Sequence, residues 1–229
     1  NASAASDVYK RQVDMCGFQK DRDFLYQSVW TKKPMIHLLP HWNWAGRERK
    51  ITPVYCYTNC ASAELFVNGR SLGKKEKKAG EYRLKWENVR YQPGSIKAIG
   101  YDNQGNVVCE KQIKTAGVPF KIALIPDRKK IVSDGEDMSF VTVQIKDKDG
   151  NLCPLADNLV NFKIEGEGTI AAVGNGNPIS LESYQAPHRK AFHGLCLVVV
   201  RATKQPGEIH LTASSPGLKE DAITLKSKK

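Results

Sequence analysis

The sequence lacks the features that mark membrane proteins and several common classes of enzyme. No apolar run among its 229 residues approaches the ~20 residues that a membrane-spanning helix needs. It contains no Ser-His-Asp order, no phosphate-binding glycine-rich loop and no H-E-x-x-H helix. The sequence therefore gives no support to a serine-triad hydrolase, a nucleotide-dependent enzyme or a zinc peptidase.

Cysteine pairs of the metal-binding type are also missing. The six cysteines form no C-x-x-C pair, and the closest two, Cys56 and Cys60, match no usual zinc spacing although two histidines are near in sequence. Cys109 and Cys196 lie in apolar runs, where a free cysteine behaves as a small buried hydrophobe. We expect mostly reduced, buried cysteines, no metal and no other cofactor.

The formal net charge of +11 raises the alternative of a nucleic-acid-binding protein. Between Arg70 and Arg90, eight basic residues stand against three acidic ones. The lysine run follows Gly73, as at a hairpin tip, and later charges alternate with Tyr82, Leu84 and Trp86. This alternation is typical of the solvent side of a half-buried strand. Because stacking aromatics are not interleaved as in a nucleic-acid surface, we expect no nucleic-acid partner.

One short helix is predicted near the start of the chain. Asp21–Trp30 places one stripe of side chains at helical spacing. The members of the stripe are Phe24, Leu25, Ser28 and Val29. Residues 35–44 predict a strand, and strand and turn patterns fill the rest of the chain. The helix must therefore bury its stripe against the first β domain or against a part of the protein outside this chain.

Short strands separated by turns predict two tandem β-sandwiches. Six or seven strands are expected within residues 35–117, where Asn68-Gly69 is a strong signal for a type I′ hairpin. Gly117-Val118-Pro119 is a short linker, and a second strand series fills residues 118–229. There, residues 194–201 are almost continuously apolar, as in a central strand. The expected fold class is all-β, with two immunoglobulin-like sandwiches behind one short helix.

Several motifs in these segments resemble one enzyme family. Residues 17–44 combine a GF-x-KD loop, a tyrosine-containing helix ending in Trp and a KP-x-x-x-LLPHWNW segment. Residues 65–73 carry LFVNG-x-SLG, and residues 98–105 carry A-x-G-YD-x-x-G. Residues 174–194 carry GNGNP, then E, then R-x-AF-x-G. Together they resemble the C-terminal region of glycoside hydrolase family 2 enzymes of the β-galactosidase type.

The resemblance implies a domain order. Residues 1–12 fit no family pattern. We interpret them as a tag or other non-native sequence, or as a disordered segment. Residues 13–34 correspond to the last loop and helix of a catalytic TIM barrel. Residues 35–117 and 118–229 correspond to the two sandwiches.

The resemblance also implies a function. The parent would be a retaining β-galactosidase-like enzyme whose two catalytic glutamates lie on barrel strands before Val13. We therefore expect no catalytic residue in this chain, which itself should be inactive. Its role would be that of accessory domains packing on the upstream barrel and shaping the site for the parent's oligosaccharide substrate. A carbohydrate-binding or cell-surface adhesion module is the alternative; a homo-oligomer and a bacterial periplasmic or cell-surface location also fit.

Three aromatic residues are candidates for substrate binding. In a strand, Trp42 and Trp44 point to the same face, where two indole rings can stack on a sugar, and His41 is their neighbour. The other interpretation is that both tryptophans fill the sandwich core or its interface with the barrel.

The loop of residues 174–194 supplies candidates for a structural brace. Glu182 and Arg189 are expected to pair across this long connection, and Phe192 to anchor it to the core. Asn177 stands where the family often has Asp, which weakens the case for a calcium-binding loop.

Overall fold

The computed structural model describes residues 12–229, so the interpretation of residues 1–12 lies outside the described residues except at Gln12. The chain divides into two compact units. Val13 and Gln19–Thr115 belong to one unit, and Asp14–Phe18 and Ala116–Lys229 belong to the other. In the part of the chain that is described, no helix is both long and apolar enough to cross a membrane.

The expected helix is present as α1, Asp21–Trp30. Two aspartates in its first turn complement the positive end of the helix dipole. Phe24 stacks face to face on His37, with 3.9 Å between ring centroids. Val29 and Trp30, by contrast, are 62% and 71% exposed. Only part of the helix is therefore buried within its own unit.

The first unit is a sandwich of seven strands in two sheets. One sheet has the order β1-β2-β5 and the other the order β4-β3-β6-β7. The strands are β1 (Ile36–Leu39), β2 (Val54–Thr58), β3 (Ser62–Val67), β4 (Arg70–Glu76), β5 (Leu84–Trp86), β6 (Ser95–Tyr101) and β7 (Val107–Lys114).

The strand predicted for residues 35–44 was wrong beyond Leu39. The next residue, Pro40, has no N–H for the sheet ladder, and residues 41–44 are irregular. Trp42 and Trp44 therefore do not share the face of a strand.

The β3–β4 hairpin confirms one turn prediction and corrects another. Asn68 and Gly69 have φ angles of 48° and 82°, as a type I′ turn requires. Gly73, however, is not at a hairpin tip: it lies inside β4, where the register against β3 shifts. A φ of 95° makes glycine suited to that bulge. The lysines that follow are exposed on the strand, in agreement with a solvated face.

The second unit is a sandwich of nine strands. Its sheets have the orders β12-β14-β10-β8 and β13-β11-β15-β16-β9. The strands are β8 (Lys121–Pro126), β9 (Lys130–Val132), β10 (Met138–Lys146), β11 (Leu159–Gly166), β12 (Gly168–Gly174), β13 (His188–Lys190), β14 (Leu195–Ala202), β15 (Gly207–Ser214) and β16 (Asp221–Lys228).

The apolar run predicted as a central strand is β14, which lies between β12 and β10. Alternate residues of β10 and β14 point inward and form an aliphatic core. The prediction of an all-β fold with tandem sandwiches behind one short helix is confirmed.

Candidate functional site

The loop predicted to carry a structural brace is organised around Arg189. Strand β13 pairs with β11 and turns this side chain inward, leaving it 1% exposed. Arg189 Nη1 donates to the carbonyl of Glu182 at 3.0 Å, and Nη2 donates to Asn175 Oδ1 at 3.1 Å. The guanidinium also lies over the ring of Tyr184, 5.0 Å from its centroid. A buried cation thus ties together distant parts of the connection.

Glu182 completes this cluster. Its Oε2 accepts a hydrogen bond from Ser180 Oγ at 3.0 Å and lies 3.6 Å from Arg189 Nε. Arg189 Nε itself has no hydrogen-bond partner. Its Oε1 accepts from the backbone N–H of Lys190 at 3.0 Å. The structure therefore brings Glu182 and Arg189 together, and the carboxylate is engaged on both oxygens.

Sequence reasoning missed Asn175 as a member of the cluster. This side chain is buried: its Oδ1 accepts from Arg189 and from the N–H of Asn177, and its Nδ2 donates to the carbonyl of Lys190 at 2.9 Å. An amide can do this because it carries both donors and an acceptor. The signal in the sequence was its place inside the GNGNP motif.

Phe192 does not take the anchoring position that we expected. Its ring is only partly buried and lies against His193, with centroids 4.1 Å apart. The preceding residue, Ala191, is the one that reaches the core. The loop is held by polar contacts around Arg189 rather than by an aromatic plug.

A second loop, residues 14–18, sits on the GNGNP segment. Asp14 Oδ1 accepts from the N–H groups of Cys16 at 2.8 Å and Phe18 at 3.0 Å, which makes the loop tight. A Cβ atom at Gly176, whose φ is +70°, would collide with the Asp14 carboxylate. A Cβ at Gly174 would lie 2.6 Å from Cys16 Sγ. Both glycines are thus needed for the close approach of the two loops.

The local environment of Cys16 agrees with this close packing. Burial, together with the Asp14 carboxylate, raises the pKa of the Cys16 thiol to about 11. The Gly176 backbone and the Arg189 guanidinium oppose this rise. The second loop and the brace around Arg189 therefore form one continuous region, which we call the loop cluster.

An apolar cavity of about 310 Å³ opens beside the loop cluster. Met15 lines it together with outward-facing residues of one sheet, namely Phe140, Leu197 and Val199. Met15 is 75% exposed and Phe140 46% exposed. We call these four residues and Tyr184 the apolar face.

The three candidate sugar-binding residues have different surroundings. Trp42 is fully buried, donates from Nε1 to the Gln92 carbonyl at 2.9 Å and packs edge-on against Tyr91. It therefore presents no ring face to a ligand. Trp44 is partly exposed, stacks on His41 at 4.5 Å and donates to the His41 carbonyl at 2.8 Å. Of the three candidates, His41 and Trp44 are brought together at the surface.

The cysteines are free, and four of the six are buried: Cys56, Cys60, Cys153 and Cys196. Cys109 is only partly buried, because the outer part of β7 is exposed. Within residues 12–229, no group of three or more His, Cys, Asp or Glu side chains is placed to hold a metal ion.

Two family models match the chain. "Glycoside hydrolase family 2 C-terminal domain 5" matches residues 122–224, and a domain of unknown function, DUF4982, matches residues 49–109. The matches fall within the two sandwiches described above.

Individual proteins extend the similarity over nearly the whole chain. The β-galactosidase BoGH2A of Bacteroides ovatus is 48% identical over 225 residues, which is 97% of this chain and 26% of that protein. A putative β-glucuronidase of Formosa agariphila is 36% identical over 86% of this chain and 19% of its own length. The solved structure of a β-glycosidase from Bacteroides vulgatus has a TM-score of 0.90 and 38% identity, over 94% of this chain and 27% of its own.

The chain thus spans about a quarter of the length of the β-galactosidase that it matches. The similarity includes both sandwiches and the segment before them. The chain belongs to glycoside hydrolase family 2, and it is a C-terminal region of a protein of that family.

Proposed function

We propose that this chain is the non-catalytic accessory part of a retaining β-galactosidase-like enzyme, and that its second sandwich packs on the catalytic barrel beside the substrate site. The observation that carries the proposal is the seating of residues 14–18 on the GNGNP segment of the second sandwich. These residues come before the first sandwich in sequence, yet their contacts belong to the second unit.

The position of residues 14–18 in the parent supports the second half of the proposal. By the family resemblance, this loop follows the last strand of the barrel. Loops that follow barrel strands lie at the carboxyl-terminal face, where TIM-barrel enzymes have their active sites. A sandwich that holds such a loop in place therefore borders the active-site face.

The apolar face supports packing on the barrel. Antiparallel sheets usually present polar residues to solvent, but here the outward positions of β10 and β14 include Phe140, Leu197 and Val199. Leu197 and Val199 are buried, but Phe140, Met15 and Tyr184 are 46%, 75% and 48% exposed beside them. Clustered exposed apolar residues of this kind mark interaction surfaces. The occupant we propose is the barrel of the same polypeptide, because Met15 of the barrel-end loop already lies on this face.

The decisive experiment compares two glycine variants in the full-length protein. Gly176→Ala should push residues 14–18 away from the GNGNP segment. We expect it to lower kcat/KM for a chromogenic β-galactoside by about tenfold, which corresponds to ~1.4 kcal/mol of transition-state stabilisation. Gly150→Ala is the matched control, because Gly150 also has a positive φ, of 88°, but nothing lies within 4 Å of its Cβ position.

Equal kinetics for the two variants, at equal folded fractions, would contradict a role of the second sandwich at the substrate site. The 229-residue chain alone should not hydrolyse the same substrate. Turnover above the blank would contradict a non-catalytic role.

Polysaccharide binding is a second candidate, favoured by the exposed part of Trp44 and its stacked partner His41. Aromatic rings of this kind can pack on the C–H face of a pyranose. Trp44→Ala should abolish retardation of the chain in a β-galactan affinity gel, whereas Val29→Ala, an exposed apolar control on α1, should not. Equal mobility of the wild type with and without galactan would dismiss this function.

A further inference from the structure

Two cysteines that are distant in sequence meet in the first sandwich. The Sγ atoms of Cys60 and Cys109 are 3.3 Å apart, within S–H···S hydrogen-bond distance. Cys60 lies in the turn between β2 and β3, and Cys109 lies on β7 opposite Gly100 of β6. Two separate sheet connections therefore place the thiols side by side.

Gly100 provides the room for this meeting. A Cβ atom there would lie 2.7 Å from Cys60 Sγ and 3.0 Å from Cys109 Sγ. Gly100 does not have a positive φ, so the backbone conformation does not demand glycine. The space over Gly100 is instead occupied by the two sulfur atoms, which makes the pair a packed feature of the sheet.

The pair is within reach of a small reagent. Cys60 lines a surface cavity of about 240 Å³ together with Lys32, Asn59 and Asp102. Cys109 is itself partly exposed. Cys56, in contrast, is fully buried on the inward side of β2.

We propose that Cys60 and Cys109 are a site of disulfide formation when the protein meets a low-molecular-weight disulfide. The partly exposed Cys109 thiolate attacks the reagent and forms a mixed disulfide, releasing one reagent thiol. The Cys60 sulfur then attacks Cys109 Sγ, forms the protein disulfide and releases the second reagent thiol. The two cysteines lose two protons and two electrons, and the reagent's S–S bond accepts them.

The movement required is small. A disulfide has an S–S length of ~2.05 Å, so the two sulfur atoms must approach by roughly 1.3 Å in total. Burial and the hydrogen bond with Cys60 raise the pKa of the Cys109 thiol to about 12. Because the thiolate is the nucleophile, cross-linking should be slow at neutral pH and faster as pH rises.

The test exposes the folded chain to oxidised glutathione at pH 7 and pH 9, followed by denaturation, alkylation and peptide mass analysis. We expect the number of alkylated cysteines to fall by two from the original six, with one cross-linked peptide pair that holds Cys60 and Cys109. Dithiothreitol should restore both thiols. The reaction should be faster at pH 9.

Three variants distinguish this pair from other outcomes. Cys60→Ser should abolish the cross-link, Gly100→Ala should slow it by separating the sulfur atoms, and Cys153→Ser, a buried cysteine of the second sandwich, should leave it unchanged. Recovery of six alkylated cysteines from folded, oxidant-treated protein would overturn the proposal. A Cys56–Cys60 link instead of Cys60–Cys109 would overturn it as well.

Discussion

The two sandwiches hold their irregular segments with different kinds of side chain. In the described part of the chain, the two largest fully buried side chains are Trp42 and Arg189, one in each sandwich. Trp42 fixes the irregular stretch after β1 by filling the core and donating one hydrogen bond. Arg189 fixes the long connection after β12 by donating to two acceptors, the Glu182 carbonyl and Asn175 Oδ1. An aromatic anchor depends on packed volume, and a charged anchor depends on its partners.

The surrounding cores differ in the same way. The first core contains Trp86 and Tyr91 beside Trp42, and the indole N–H of Trp86 finds a carbonyl at Gly73. The second core consists mainly of valine, isoleucine and leucine from long alternating strands. Regular strands can bury such residues without polar partners, whereas the buried Arg189 of the loop cluster needs its hydrogen-bond acceptors. Substitution of Trp42 should therefore destabilise the protein through lost packing, and substitution of Arg189 through lost hydrogen bonds.

The largest effect is expected from removal of the aromatic anchor. Trp42→Ala should lower the free energy of unfolding by about 4 kcal/mol, because it leaves a cavity in a closely packed core. Urea unfolding followed by circular dichroism measures this change. Trp44→Ala, at a partly exposed ring two positions away, should cost clearly less. Equal losses for the two variants would contradict the distinction between core and surface tryptophan.

Removal of the charged anchor should have the next largest effect. Arg189→Met should cost about 3 kcal/mol, since Asn175 and Glu182 lose a buried partner. Arg189→Lys should not restore stability, because an ammonium cannot reproduce the planar guanidinium fork. Lys163→Met, which removes an exposed ion pair with Glu165, is the control and should change little. A lysine variant as stable as the wild type would show that charge alone suffices.

A smaller, pH-dependent effect is expected at a buried turn of the second sandwich. Burial would raise the pKa of Asp147, but hydrogen bonds from the Asn151 side chain, the Gly117 N–H and the Asn151 N–H hold it below the ordinary value. The stabilisation is therefore present above pH ~4 and is lost as pH falls through the folded pKa.

Asp147→Asn should accordingly remove about 1–2 kcal/mol at pH 7 and progressively less at lower pH. Urea midpoints measured between pH 7 and pH 3 provide the comparison, with Asp149→Asn in the same turn as the control. A loss that stays constant with pH would contradict the carboxylate's role.

The smallest effect is expected on the basic strand of the first sandwich. Lys74 Nζ lies 3.9 Å from the centroid of the Tyr101 ring, and Lys74→Ala should lower the free energy of unfolding by only about 0.5 kcal/mol.

The chain should also pass a DNA column at low salt without retention. Salt-sensitive retention that the variant reduces would instead favour a nucleic-acid surface.

The fold could be predicted from the sequence to a large extent, since it rests on local signals. The Asn68-Gly69 turn, the alternation in β10 and the apolar run of β14 each specify their own structure. Residues 41–44 could not be predicted in this way, because their apolar pattern is that of a strand while Pro40 and the core packing of Trp42 impose a bend. Likewise, Gly73 carries a turn signal that a bulge inside β4 uses equally well.

The loop cluster could be predicted only in part. Opposite charges at Glu182 and Arg189 suggested a pair, but the role of Asn175 depends on three hydrogen bonds, with Asn177, Arg189 and Lys190, that form only in the folded loop. The approach of residues 14–18 to Gly176 joins segments about 160 residues apart. No local sequence pattern predicts such a contact, and the two glycines of the GNGNP motif are the signal that is consistent with it.

The order of strands in the second sandwich has a consequence during protein synthesis. Strand β9 pairs only with β16, in parallel, at the edge of its sheet. About 90 residues separate the two strands, so at ordinary translation rates β9 waits on the order of 5 to 20 seconds for its partner. During that interval its backbone is open to pairing with other nascent chains, and Lys129 and Lys130 supply the like charge that discourages such pairing.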